Sequence, residues 1–452
     1  MRGRAIMTDL YELTMAASYF AQDMFAPATF SLYVRSYPPN RSYFVCAGLH
    51  ELLDYLESFY FHEDDLEYLE QTSLFRSDFL QYLEKLRFTG EVRAIPEGRI
   101  FFCNEPLLEI TAPVIQAQLV ETYVINTMNF ASLIATKASR CVHAADDRRL
   151  VDFSLRRTQG MDAGLKAARS SYIGGFLGTS NVQAGKIYDL PIYGTMAHSY
   201  VESFDREIDA FRAFAKSFPD NTILLIDTYD TLAGARKAVK VAEEMRAAGK
   251  ALRAVRLDSG DMVQLSRQVR KILDDAGFPE VKIFASGGFD EFKIQEILAA
   301  GACIDAFGVG TKLGVSADAP YLDAAYKMVQ YNGRPVLKLS SGKVSLAGPK
   351  QVFRQYDEHG MFRSDLIGLR DEDVADADAL LVVAMQQGKR LLPNEPTNQI
   401  QQRFRQEFAQ LPDIYKSLQG TRNYPVGITA KLQALQDQVQ LKIHQQELAK
   451  PL

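Results

Sequence analysis

One histidine in this chain keeps company suited to chemistry. The chain has six histidines, and His198 lies in Pro191–Phe204, PIYGTMAHSYVESF, where an apolar piece ends at Gly194. Thr195 comes three residues before His198 and Glu202 four after. A hydroxyl and a carboxylate so placed can fix the ring's tautomer or stabilise its cation. His50, His62, His143, His359 and His444 lie in helical or loop contexts without such neighbours and read as surface or packing residues.

Five further stretches share one design: VDFSLRRTQG (Val151–Gly160), LLIDTYD, AVRLDSGD, IFASGGFD and FGVGTKLG. Each is a short apolar run ending in charged, hydroxyl or glycine residues, as parallel strands do where their C-terminal ends carry an active site. Arg156, Arg157 and Arg256 offer forked cations for phosphate or carboxylate. Asp227, Asp230, Asp258 and Asp261 offer hard oxygens for a magnesium-bound diphosphate or for ribose hydroxyls. Ser286, Gly287 and Gly288 in SGGFD, and Gly308, Gly310 and Thr311 in GVGTKLG, place glycines just after a strand. There backbone N–H groups can close around a phosphate without interference from a Cβ. A helix cap explains either cluster alone, but in barrels the last two strand loops often make the phosphate site.

These side chains need a scaffold that gathers strand ends. Strand-like pieces at Leu150–Phe153, Gly174–Thr179, Ile192–Ala197, Thr222–Asp227, Ala254–Asp258, Lys282–Ala285 and Ala306–Val309 alternate with helical stretches. Alternation with short loops implies a mostly parallel sheet, and seven strands instead of eight imply an irregular α/β barrel. Before it, Thr8–Phe20 reads as an amphipathic helix in which Tyr11 is a half-buried packing residue, and Glu91–Pro113 as a small antiparallel sheet. After it, 326–353 returns to short β pieces with Gly-rich turns, and a Gln-rich helical stretch follows. The expected division is an N-terminal α+β domain over 1–114, the barrel over 115–325, a return to the smaller β-rich domain over 326–397, and a C-terminal helical tail over 398–452.

Bulk properties set outer bounds. The 452 residues suit two or three domains, and 47 % hydrophobic residues suit a large core. A formal net charge of −5 gives no reason to expect nucleic acid or an anionic membrane as partner. No apolar run approaches the roughly 20 residues of a membrane span. Cys46, Cys103, Cys141 and Cys303 are scattered without a CxxC pair and read as reduced. A cytoplasmic protein is expected.

SLRRTQG, GFLGTSNV, GTMAHSYVESF, LIDTYDT, VRLDSGD and GVGTKL, in that order, resemble the nicotinate phosphoribosyltransferase family. The likeness runs from TDLYELTM at Thr8 to GPKQVFR near Arg354, then weakly through YPVGIT, and leaves the Gln-rich tail from about Lys431 unmatched. It implies the type II phosphoribosyltransferase fold: an irregular α/β barrel with a smaller β-rich domain, in a homodimer with shared active sites. The implied reaction joins nicotinate to 5-phosphoribosyl-1-diphosphate (PRPP), giving nicotinate mononucleotide and diphosphate in NAD salvage. ATP hydrolysis, with Mg²⁺, would drive it through a phosphohistidine at His198. Tyr11 matches the tyrosine that stacks on the pyridine ring from the neighbouring subunit, and Phe153 the aromatic on the other face. Thr195 and Arg256 match nicotinate-site positions; Arg156, Asp227, Asp258, Gly287 and Gly288 match positions around PRPP, and Thr311 a contact to its 5′-phosphate. Catalysis would rest on His198, Asp227 and Arg256.

One position bears on specificity. Related nicotinamide enzymes place an aspartate where this chain has Ser180, and an aspartate would repel the carboxylate of nicotinate. The acid is therefore favoured over the amide. The other readings are a nicotinamide enzyme, a quinolinate phosphoribosyltransferase, against which GTMAHS argues, and a catalytically silent phosphosugar-binding barrel.

Overall fold

A computed structural model of the chain describes residues 5–339 and 345–448. It divides into two compact units, one of Met1–Leu133 with Tyr321–Leu452 and one of Ile134–Pro320. The division falls inside one long helix, Glu121–Ala144, where the sequence suggested a change of domain at 114/115.

The second unit holds the expected alternation. Its strands are β1 (Arg149–Asp152), β2 (Gly178–Thr179), β3 (Ile223–Leu225), β4 (Ala254–Leu257), β5 (Lys282–Ala285) and β6 (Ala306–Val309). They pair in the order β2-β1-β6-β5-β4-β3, every pairing parallel. Apolar residues facing the helices are sealed off, as Leu150, Leu224, Val255, Ile283 and Phe307 show. Four helices of this unit are started by a short polar side chain that satisfies first-turn N–H groups. Asn181 accepts from Ala184 N, Asp230 from Ala233 N, Asp261 from Val263 N and Gln264 N, and Asp290 from Lys293 N.

The expected strand over Ile192–Ala197 is reduced to one bridge, between Ile192 and Thr179. Tyr193 N still donates to Thr179 O at 2.9 Å, after which the chain leaves the sheet. Among the described residues no backbone pair joins this segment to β3, so the ring of strands has a seam. That seam is what makes the α/β barrel irregular.

The first unit is built on sheets that are antiparallel but for one pairing, that of Phe362–Leu369 with Val426–Ile428. Pro27–Val34 lies between Ala324–Tyr331 and Leu108–Pro113, so the segments before and after the barrel share one sheet. A four-stranded sheet adds Lys350–Tyr356, Phe362–Leu369, Ala377–Ala379 and Val426–Ile428. The Gln-rich helix Ala430–Ile443 buries Leu432, Gln436 and Val439, and Gln436 accepts from Ala347 N and donates to Ser345 O. Positions 340–344 of the β-rich stretch, and the last residues of the tail, lie outside the described residues. Helix Leu10–Ala21 buries Glu12, Leu13 and Ala16, leaving Leu10, Tyr11 and Met15 exposed. Tyr11, expected as a half-buried packing residue, is thus turned outward.

Candidate active site

At the C-terminal ends of β3, β4 and β5, one guanidinium organises the site. Arg256 Nε donates to Ser286 Oγ at 2.8 Å and Nη2 to Asp258 Oδ1 at 2.7 Å. Nη1 donates to Thr195 Oγ1 at 3.0 Å and to Met196 O at 3.2 Å. Four of the five N–H donors of the fork are thus engaged, and one on Nη2 is left. The guanidinium carbon also lies 5.6 Å from the centre of the Phe153 ring. Arginine is suited to this place because a planar fork serves several acceptors in fixed directions.

Asp258 also accepts from Ser286 Oγ. Burial alone would raise its carboxyl, but the hydrogen bonds from Ser286 and Arg256 and the charges of Arg256 and His198 outweigh that and hold it below the usual carboxylate range. Asp227 accepts from Asp258 N at 2.9 Å and Ser259 Oγ at 2.6 Å through Oδ2, while its Oδ1 is buried without a partner. A buried carboxylate oxygen with no donor is an acceptor waiting for a hydroxyl or a cation. Asp230 and Asp261, candidates for the same work, are occupied as helix caps.

His198 opens the short helix His198–Glu202 and is 40 % exposed. Its Nδ1 lies 3.2 Å from Thr228 Oγ1, across the seam, and its Nε2 lies 3.9 Å from Asp258 Oδ2. The ring's partners are therefore Thr228 and Asp258. Glu202 is exposed at the other end of the helix, and Thr195 turns to Arg256. Thr228 was missed in the sequence; the signal was a hydroxyl next to Asp227 at a strand end.

Below Phe153 lies a second missed group. Asp152, fully buried, accepts from Thr179 Oγ1 at 2.7 Å and from Ser154 N at 2.8 Å, and its carbonyl accepts from Ser180 N. Its carboxyl is raised by burial, which outweighs those hydrogen bonds. Asp152 thereby ties β1 to β2 and fixes the backbone that carries Phe153 and Ser180. The Ser180 hydroxyl has no hydrogen-bond partner among the described residues.

The two glycine stretches separate by role. Gly287 has φ +105°, and a Cβ there would sit 2.2 Å from Asp258 O, so backbone packing alone demands glycine. Gly288 is exposed with open space beside it, and neither N–H meets an acceptor among the described residues. Gly308 is buried beneath Phe153, and Gly310 keeps the chain close to Phe153 O. Asp290 and Lys312 pair at 2.7 Å and join the two stretches. Thr311, Arg156 and Arg157 are exposed nearby in sequence to these elements. Tyr11 belongs to the first unit. Among the described residues no group of three or more His, Cys, Asp or Glu could hold a metal, and no helix is long and apolar enough to cross a membrane.

Comparison with known proteins finds one family along most of the chain. Residues 6–129 match the nicotinate phosphoribosyltransferase (NAPRTase) N-terminal domain, 148–355 the NAPRTase family, and 374–436 the C-terminal domain. The last match reaches into the stretch that the sequence motifs left unassigned. The chain is 47 % identical over 430 residues to nicotinate phosphoribosyltransferase pncB2 of Mycobacterium tuberculosis, covering 95 % of this chain and 92 % of that protein. To nicotinate phosphoribosyltransferase of Bacillus subtilis it is 37 % identical over 460 residues, covering 94 % and 93 %. The crystal structure of human nicotinic acid phosphoribosyltransferase superposes with a TM-score of 0.87 at 28 % identity, covering 96 % of this chain and 99 % of that one.

Proposed function

The chain belongs to the nicotinate phosphoribosyltransferase family, and from that premise we propose that it joins nicotinate to PRPP, with ATP hydrolysed through phosphorylated His198, in NAD salvage. The pyridine nitrogen would bond to ribose C1 as the bond from C1 to diphosphate breaks. Positioning and charge neutralisation carry such a displacement.

The observation that supports this best is the fixed Arg256, with Phe153 beside it and His198 across Asp258. A carboxylate would take the free Nη2 hydrogen, with Ser180 as a further donor, and could draw the Thr195 hydroxyl proton from Met196 O, to which it is given at 3.3 Å. The aromatic face of Phe153 suits a flat pyridine ring. Gly287 and Gly288 N–H groups, Arg156 and Thr311 are available to phosphate, and Ser286 helps indirectly by orienting Arg256 and Asp258. Mg²⁺ is held by few protein oxygens when phosphates and water supply the rest. The orphaned Asp227 Oδ1 beside Asp258 fits that role.

For phosphoryl transfer from ATP, Nδ1–H donating to Thr228 Oγ1 leaves the lone pair on Nε2 to bond phosphorus as ADP departs. The product carries about two added negative charges, close to Asp258, so cations must gather there as the sugar diphosphate binds. The exposed face of Leu10, Tyr11 and Met15 supports a homodimer in which a second copy covers it and Tyr11 completes the neighbouring site. A reducing cytoplasm suits four free cysteines.

The deciding assay offers nicotinate, nicotinamide and quinolinate side by side, each with PRPP, with and without ATP. Nicotinate mononucleotide formed with ATP-dependent stimulation is expected. Product from either rival pyridine instead, or none from any, overturns the reading.

A further inference from the structure

The barrel of the second unit is hollow. Barrels of this kind are ordinarily filled by layers of bulky branched side chains. Here the interior positions include Ala254 and Ala306, and a cavity of about 700 Å³ lies among Val151, Leu177, Ile223, Ala254, Phe284 and Ala306. Its upper end reaches Phe153 and Thr195, two of the side chains that Arg256 touches. Its lower end reaches Arg148, Arg149, Arg253 and Lys282 at the N-terminal ends of the strands, where Asp146, Asp147 and Asp305 also lie. Arg148 pairs with Asp146 at 3.6 Å and Lys282 with Asp305 at 3.1 Å. Arg149 and Arg253 have no ion-pair partner among the described residues, so the lower mouth keeps cations free to attract an anion.

We propose that this bore is a conduit by which a small planar aromatic monocarboxylate passes between the lower mouth and the Phe153–Thr195 end. The mouth attracts the carboxylate, the apolar wall accepts the flat ring, and the guanidinium at the top receives the charge again. The route stays open when the opposite end of the barrel is filled by a sugar diphosphate. It rests on the proposed function, since it supplies that site with its acid.

The test uses 5-fluoronicotinate as probe, with exchange rates and Kd read by ¹⁹F NMR on the full-length enzyme, with and without saturating diphosphate. Ala306→Phe narrows the bore away from the site. It should lower association and dissociation rate constants together by about tenfold and leave Kd within about twofold, because an obstructed path does not alter the end states. Arg149→Glu with Arg253→Glu, both exposed and safe for folding, should slow association by about tenfold at low salt, the difference fading as salt rises. Folded variants that all exchange at the parent rate overturn the conduit. A change in Kd with unchanged association overturns it too, because it marks an altered site. A parent enzyme that binds no probe and makes no nucleotide refutes the function, and the conduit with it; a parent that turns over beside variants that match it refutes the conduit alone.

Discussion

Phe153 rests in the space that a side chain at Gly308 would fill. A Cβ at 308 would lie 2.6 Å from Phe153 Cδ2, 2.7 Å from its Cε2 and 3.1 Å from Phe284 Cζ. The ring is thus placed by an absence on the neighbouring strand. Gly308→Ala should push it off its seat, and an overpacked methyl costs about 1–3 kcal/mol. The expected result is a rise of about tenfold in KM for nicotinate, with KM for PRPP unchanged, measured by steady-state kinetics.

Thr228 holds the imidazole of His198 from across the seam. Thr228→Val keeps the side-chain shape and removes the hydroxyl. Loss of such an orienting partner typically costs about 10- to 100-fold, so the yield of acid-labile phosphohistidine, and ADP formed per nucleotide, should fall accordingly. Thr228→Ser should restore both. A role in stability alone would leave the ADP-to-nucleotide ratio unmoved.

Lys312 joins the two glycine stretches through Asp290 and is 42 % exposed. A half-exposed pair is worth at most about 1 kcal/mol. Lys312→Met should therefore raise KM for PRPP by no more than about fivefold and leave that for nicotinate alone. A larger effect would mean that the ammonium itself meets the substrate.

Glu12 is buried and accepts from Thr122 N at 3.0 Å and from the hydroxyls of Thr122 and Thr8. Burial raises its carboxyl to about 7, more than those hydrogen bonds lower it. The folded chain then holds this proton more tightly than the unfolded one, so stability falls as pH rises from the ordinary glutamate range to about 7. Glu12→Gln, which cannot ionise, should match the parent in Tm near pH 4 and exceed it at pH 8. A Tm difference independent of pH would contradict this account.

The strand ends were legible because each apolar run stops where solvent or ligand begins, and that left Arg256, Asp227, Asp258 and His198 in plain view. The Ile192–Ala197 segment was over-read as a strand. Its apolar residues do start in register, but Thr195 and Met196 leave the sheet to serve Arg256, a tertiary demand without a local trace. Gly308 was read for phosphate because a glycine after a strand looks the same whether its empty side admits an anion or an aromatic ring. Glu202 was chosen over Thr228 because it is near in sequence, whereas the fold brings a residue thirty positions away to the imidazole. Asp152 escaped notice because a buried carboxylate inside an apolar run carries no spacing signal.

The contact between His198 and Thr228 is also a fastener. It bridges two chain segments that share no ladder of backbone bonds, so whatever is attached to that imidazole changes how firmly the cylinder is buttoned. Should that ring carry the proposed phosphate, resistance to protease or heat in the loop before His198 would rise and fall with it, and the seam would gauge progress through the proposed cycle.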